Sequence, residues 1–135
     1  MIRWLLSSCL LPALAALLLP TFFATTARAD EPQLAHMVFF TLKDHSKESR
    51  AKFVASCKKY LAKHEGTVYF SVGTIAEDVS EPVSVTDFDV ALHVVFENKG
   101  AKEKYLKNSR HDQFVGENKE FFAKVRVFDS YLEKP

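Results

Sequence analysis

Two spacings of apolar residues divide this chain into elements. From Leu34 to Lys43 the run LAHMVFFTLK is apolar on both alternating faces, with Leu34, Val38, Phe40 and Leu42 on one and Ala35, Met37 and Phe39 on the other. Such a run suits a pleated strand that is covered on both sides. The period then lengthens. Phe53, Val54, Cys57, Tyr60, Leu61 and His64 recur at steps of 1, 3 and 4 residues, which predicts a helix from about Lys47 to His64. Ser46 offers its N-cap and Gly66 its stop.

The alternation returns in Thr67 to Ala76, a second strand in which Gly73 is the expected bulge or close-approach point. A polar loop, Glu77 to Thr86 with Pro82, leads into a third strand, Asp87 to Glu97. Phe88, Val90, Leu92, Val94 and Phe96 fill one face of that strand, and Asp89, Ala91, His93 and Val95 the other. A short helix follows from about Gly100 to Lys107, then a helical or irregular piece from Ser109 to Phe121, and a last strand from Ala123 to Glu133. The order is β-α-β-β-α-β, the α+β ferredoxin-like pattern with a four-stranded antiparallel sheet. Both helical segments cover one face of such a sheet. Strands that are apolar on both faces, in a chain with no third layer, predict that a second copy covers the other. The expected assembly is a homodimer whose facing sheets enclose a barrel-like interior.

The N-terminal segment changes the bookkeeping. Arg3 supplies a positive start, Leu5 to Phe23 carry no charge, and Ala27-Arg28-Ala29 is a small-x-small cleavage pattern. Residues 1–29 therefore read as a secretory signal peptide, with an uncleaved membrane anchor as the alternative that Pro12, Pro20 and the cleavage pattern argue against, and residues 30–135 as one exported, periplasmic or secreted domain with no membrane attachment once the leader is cleaved. Losing Arg3 and Arg28 leaves 16 Lys+Arg against 17 Asp+Glu, a formal charge of about −1. That balance gives no basis for nucleic-acid binding. Only Cys57 remains of the two cysteines, and a lone cysteine makes no intramolecular disulfide, so it is expected to be a buried apolar side chain.

The chemistry concentrates in YLKNSRHDQF, Tyr105 to Phe114, and at His36 on the first strand. Near neutral pH an imidazole can take a proton from a carbon beside a carbonyl, and a phenol can hydrogen-bond the oxygen where charge develops. His93 reads as a packing or strand-pairing residue, and His45 and His64, flanking the first helix, as solvated. No histidine pair has helical metal spacing and no cysteine partners one, nor is there a phosphate-binding glycine loop or a G-x-S-x-G. Neither metal nor other cofactor is expected.

The ordered set LAHMVFFTLK, VGTI, FDVALHVVFEN, Tyr105, the NSRH turn at His111 and VRVFDSYLE resembles the Dabb family, the stress-responsive α/β-barrel proteins, from Leu34 to Leu132. The resemblance implies a dimeric α+β barrel of ferredoxin-like subunits. One plant member is a polyketide cyclase, and its cavity-lining trio, aligned by motif, falls on His36, Tyr105 and His111. In those roles His111 would be the base, Tyr105 the oxygen partner and His36 an orienting group. The family usually has proline where this chain has Ser109, a departure that bears on where His111 points. Three readings stay open: a barrel that binds a small apolar or carbonyl-containing molecule in the dimer-enclosed cavity, a cofactor-free cyclase or lyase, and a structural stress-associated dimer.

Overall fold

The computed structural model describes residues 31–133, so the leader expected at residues 1–29 lies outside them. The elements are β1 (Leu34–Leu42), α1 (Lys47–Leu61), β2 (Thr67–Thr74), β3 (Val90–Phe96), α2 (Lys99–Leu106), α3 (Ser109–Asn118) and β4 (Phe122–Tyr131). The strands form one antiparallel sheet in the order β2-β3-β1-β4. β1 and β3, whose sequences are apolar on both faces, take the two central places, and the more polar β2 and β4 form the edges. This is the expected α+β ferredoxin-like architecture.

α1 begins where the sequence places it. The Ser46 hydroxyl accepts from the Ser49 N–H at 3.1 Å, and Asp44 in turn accepts from the Ser46 N–H and hydroxyl. The helix ends three residues earlier than His64, because Lys63 turns into the left-handed region at φ 59° and Gly66 follows at φ 77°. Gly66 also has no room for a side chain, since a Cβ there would stand 2.5 Å from the Ala101 Cβ. The turn is thereby pressed against the start of α2, and Glu97 donates its N–H to the Gly66 carbonyl at 2.9 Å.

Ser109 to Phe121, left open between helix and irregular chain, holds a regular helix, α3, capped by the Asn108 side chain on the Arg110 N–H. Two details of the strands differ from expectation. The register irregularity in β2 falls between Thr67 and Tyr69, while Gly73 pairs regularly with Ala91. β3 begins only at Val90, because Asp89 turns inward and is 2 % exposed instead of continuing the Ala91/His93 face.

The core lies between the sheet and the helices. Leu34, Val38, Phe40 and Leu42 of β1 and Val90, Leu92, Val94 and Phe96 of β3 meet Phe53, Cys57 and Leu61 of α1 and Phe114 of α3. Phe40 and Phe53 form an edge-on pair at 4.8 Å, and Phe114 meets Phe53 edge-on at 5.7 Å. Among the described residues, no helix covers the opposite face. There Phe39 contacts Phe88 at 5.0 Å and Phe128 at 5.7 Å, while Phe128 and Tyr69 stay more than half exposed. α1 lies over β2 and β3, and α2 over β3. The helix side of β4 is therefore open, and Val125, Val127 and Tyr131 are exposed along it.

Candidate functional site

Tyr105 is the hub. It stands one residue before the end of α2 and is 2 % exposed. Its ring meets Phe96 at 5.0 Å, His111 at 5.0 Å and His36 at 6.3 Å between centroids. The three residues singled out from the sequence are thus brought together. They meet on the helix-covered side of the sheet. His36 shares its face with Val38 and Phe40, which are core residues, so the expectation of a cavity enclosed between two facing sheets is corrected for this cluster: it lies under α2 and α3.

A fourth residue completes the group. His64, expected to be solvated, is 8 % exposed and packs edge-on against Tyr105 at 4.8 Å. Its Nε2 lies 2.8 Å from the Tyr60 carbonyl, which can only accept, so Nε2 is the donor. The left-handed Lys63 carries the chain into this place, and helical spacing alone does not reveal such a turn.

Two devices position His111. Asn108 caps α3, and the Arg110 guanidinium donates to the carbonyls of Lys59 and Ala62, each at 3.0 Å, at the end of α1 where carbonyls lack helical partners. The start of α3 is thereby pinned to the end of α1, and with it His111 to His64. Ser109 is the first residue of α3. Proline is favoured at that position, so serine there keeps the same path for the chain.

His36 is oriented by a residue on the edge strand. Its Nδ1 donates to Asp129 Oδ1 at 2.7 Å, and Lys102 Nζ donates to Asp129 Oδ2. β4 pairs with β1 so that Asp129 stands opposite His36, a register that the sequence alone does not specify. Burial of Asp129 by itself would raise its carboxyl, but the bonds from Lys102 and His36 hold it below the ordinary value.

The electrostatics favour neutral imidazoles beside a protonated phenol. Burial lowers the His36 pKa, and the Asp129 carboxylate only partly offsets this. Burial also lowers His111, Asp112 opposes that shift, and the neighbouring His36 and His64 add to it. Tyr105 is pushed well above the ordinary phenol value by burial, with a smaller contribution from Cys57. Cys57 itself is buried and its thiol is pushed up to about 12, which leaves it unreactive as expected.

The remaining histidines serve elsewhere. His93 lies on the open face, with Nδ1 3.2 Å from the Ser71 hydroxyl. His45 remains 64 % exposed, yet its Nδ1 donates to Asp89 at 2.9 Å. Asp89 also accepts from the Leu42 N–H at 2.7 Å and Arg50 Nε at 2.9 Å, and these groups outweigh burial to hold its carboxyl low. This network lines a cavity of about 450 Å³ at the opposite end of β1 from His36. It ties β3 to β1 and α1.

The family model for the stress responsive A/B barrel domain matches residues 34–132. The chain belongs to this family. A Dabb family protein of ferredoxin-like fold from Mesorhizobium loti is 22% identical, with a TM-score of 0.65 over 77% of this chain and 100% of that one. A dimeric ferredoxin-like protein of unknown function from Thermobifida fusca is 12% identical, with a TM-score of 0.63 over 76% and 92% of the two chains. The hydroxynitrile lyase from Passiflora edulis is 16% identical, with a TM-score of 0.62 over 79% and 98%. At these identities the likeness establishes the fold. No curated protein matches the chain significantly.

Proposed function

We propose that this Dabb domain is an exported homodimer that binds a small apolar carbonyl compound and moves a proton on it without a cofactor. The observation that carries this reading is the set of imidazoles of His36, His64 and His111 around the Tyr105 phenol, with His36 and His111 held neutral by burial. His111 takes a proton from the carbon next to the carbonyl. The C–H electron pair moves into the carbon–carbon bond, and the negative charge that builds on oxygen is met by the Tyr105 O–H. Asp129 fixes the Nδ1–H tautomer of His36, which leaves Nε2 as a second acceptor. Return of the proton closes an exchange cycle, and attack of the enolate on a second carbonyl would make a carbon–carbon bond.

The open sheet face supports the dimer, because Phe39, Phe128 and Tyr69 lie on it without a helix layer. Dimeric relatives of the same fold support it as well. The uncharged N-terminal run and its cleavage pattern support export.

The decisive experiment is hydrogen–deuterium exchange at the α-carbons of simple ketones and aldehydes in D2O, followed by NMR. Wild type should accelerate exchange and His111→Ala should not, while the variant's stability changes by only about 1 kcal/mol. Equal rates for wild type, His111→Ala and buffer would return the cluster to a packing role.

A further inference from the structure

A groove of about 310 Å³ runs between α2 and β4, within the size range of small-ligand sites. We propose that it binds a small amphipathic carboxylate, with the Lys102 ammonium taking the acid group and Leu34, Leu106 and Tyr131 the apolar part. The inference goes beyond the reading of the Tyr105 cluster, because the groove is lined by other residues and is a neighbouring ligand site.

The apolar wall is open to solvent: Leu106 is 38% and Tyr131 58% exposed, and Leu34 forms the floor. Lys102 is the charged group placed to read a ligand, because its side chain is only 16% exposed and its charge is less screened than that of a surface lysine. An ammonium has three donors, and one is used on Asp129. Asp129 repels an incoming acid less than an unpaired carboxylate would, since one of its oxygens is held by His36 and the other by Lys102. The other acid in the groove, Glu103, faces Lys99 at 3.8 Å. The first turn of α2 carries no acidic residue and begins at Lys99, which adds positive potential at this end. An amine would meet Lys99 and Lys102, and a purely apolar ligand would strip water from Lys102 with nothing in return.

Position links the groove to the cluster. Asp129 bonds both His36 and Lys102, so an acid held by Lys102 is separated from the His36 imidazole by that one carboxylate. Asp129 and Tyr131 stand opposite His36 and Leu34, on the helix side of the sheet. The groove therefore opens away from the face assigned to a second copy.

The test is NMR titration of the mature protein with hexanoate, hexanol and hexylamine. Hexanoate should shift resonances of Leu34, Leu106 and Tyr131, with an affinity that falls as salt rises and that exceeds that of hexanol by about tenfold or more. Hexylamine should not bind. Lys102→Met should abolish the preference for hexanoate over hexanol, Lys102→Arg should keep it, and Leu106→Asn should weaken hexanoate and hexanol alike. Equal affinity for hexanoate and hexanol, an unchanged Lys102→Met, or shifts confined to another surface would overturn the proposal. Protein that binds hexanoate but exchanges no α-protons would uphold the groove and overturn the proton-transfer reading, and the converse would overturn the groove alone.

Discussion

Replacing Tyr105 by phenylalanine and, separately, by alanine distinguishes chemistry from packing at the centre of the cluster. The ring is 2 % exposed and is held by contacts with Phe96, His64, His111 and His36. Alanine removes all of them and leaves a cavity, which costs about 3–5 kcal/mol for a buried aromatic. The ring–ring preference of about 0.5–1.5 kcal/mol per pair is contained in that figure and is not added to it. Phenylalanine keeps every ring contact and removes one hydroxyl, a change worth about 1 kcal/mol. The single tryptophan is Trp4, inside the expected leader, so urea unfolding of the mature domain is best followed by far-UV circular dichroism. In the exchange assay, loss of the oxygen partner should lower the rate by about a hundredfold or more in the phenylalanine variant, although it stays folded. A phenylalanine variant as unstable as the alanine one would make the hydroxyl a structural anchor. One that exchanges protons at the wild-type rate would remove Tyr105 from the reaction.

Two further outcomes are expected. Sedimentation at micromolar concentration should give twice the monomer mass, and Phe128→Asp, on the exposed helix-free face, should shift it toward monomer without unfolding the chain; a stable wild-type monomer would sink the face-to-face assembly. Burial holds His36 and His111 below 6.5 in the folded state, so just below that pH the unfolded chain binds more protons than the folded one. Their contribution to stability is complete above pH 6.5 and is lost as pH falls below it toward the lowered folded values, ahead of the carboxylates Asp89 and Asp129, which act below 3.8. Urea midpoints measured on both sides of pH 6.5 should fall on the acid side, and a midpoint that rises there would contradict neutral buried imidazoles.

The repeating spacings in the sequence were enough to determine the element order, the ferredoxin-like class and which two strands are apolar on both faces. Burial acts on every apolar residue of a strand or helix, so it leaves a period that can be read without coordinates. The same spacing placed Phe53, Cys57 and Leu61 on the buried side of α1, and the family resemblance pointed to His36, Tyr105 and His111. Which side of the sheet those three occupy was decided by tertiary structure alone, because β1 is apolar on both faces and nothing in its sequence says which face the helices take. The same holds for residues whose roles depend on one contact rather than on a pattern. His64 reaches Tyr105 only through the left-handed turn at Lys63, pressed against Ala101 by a glycine with no room for a side chain. Asp129 meets His36 only through the register of two strands separated by 93 residues in sequence. Asp89, placed by alternation on the Ala91 face, turns inward because the Leu42 N–H, His45 and Arg50 gather around its carboxylate. Polar side chains are placed by the partners they find, and those partners are brought together only once the chain has folded.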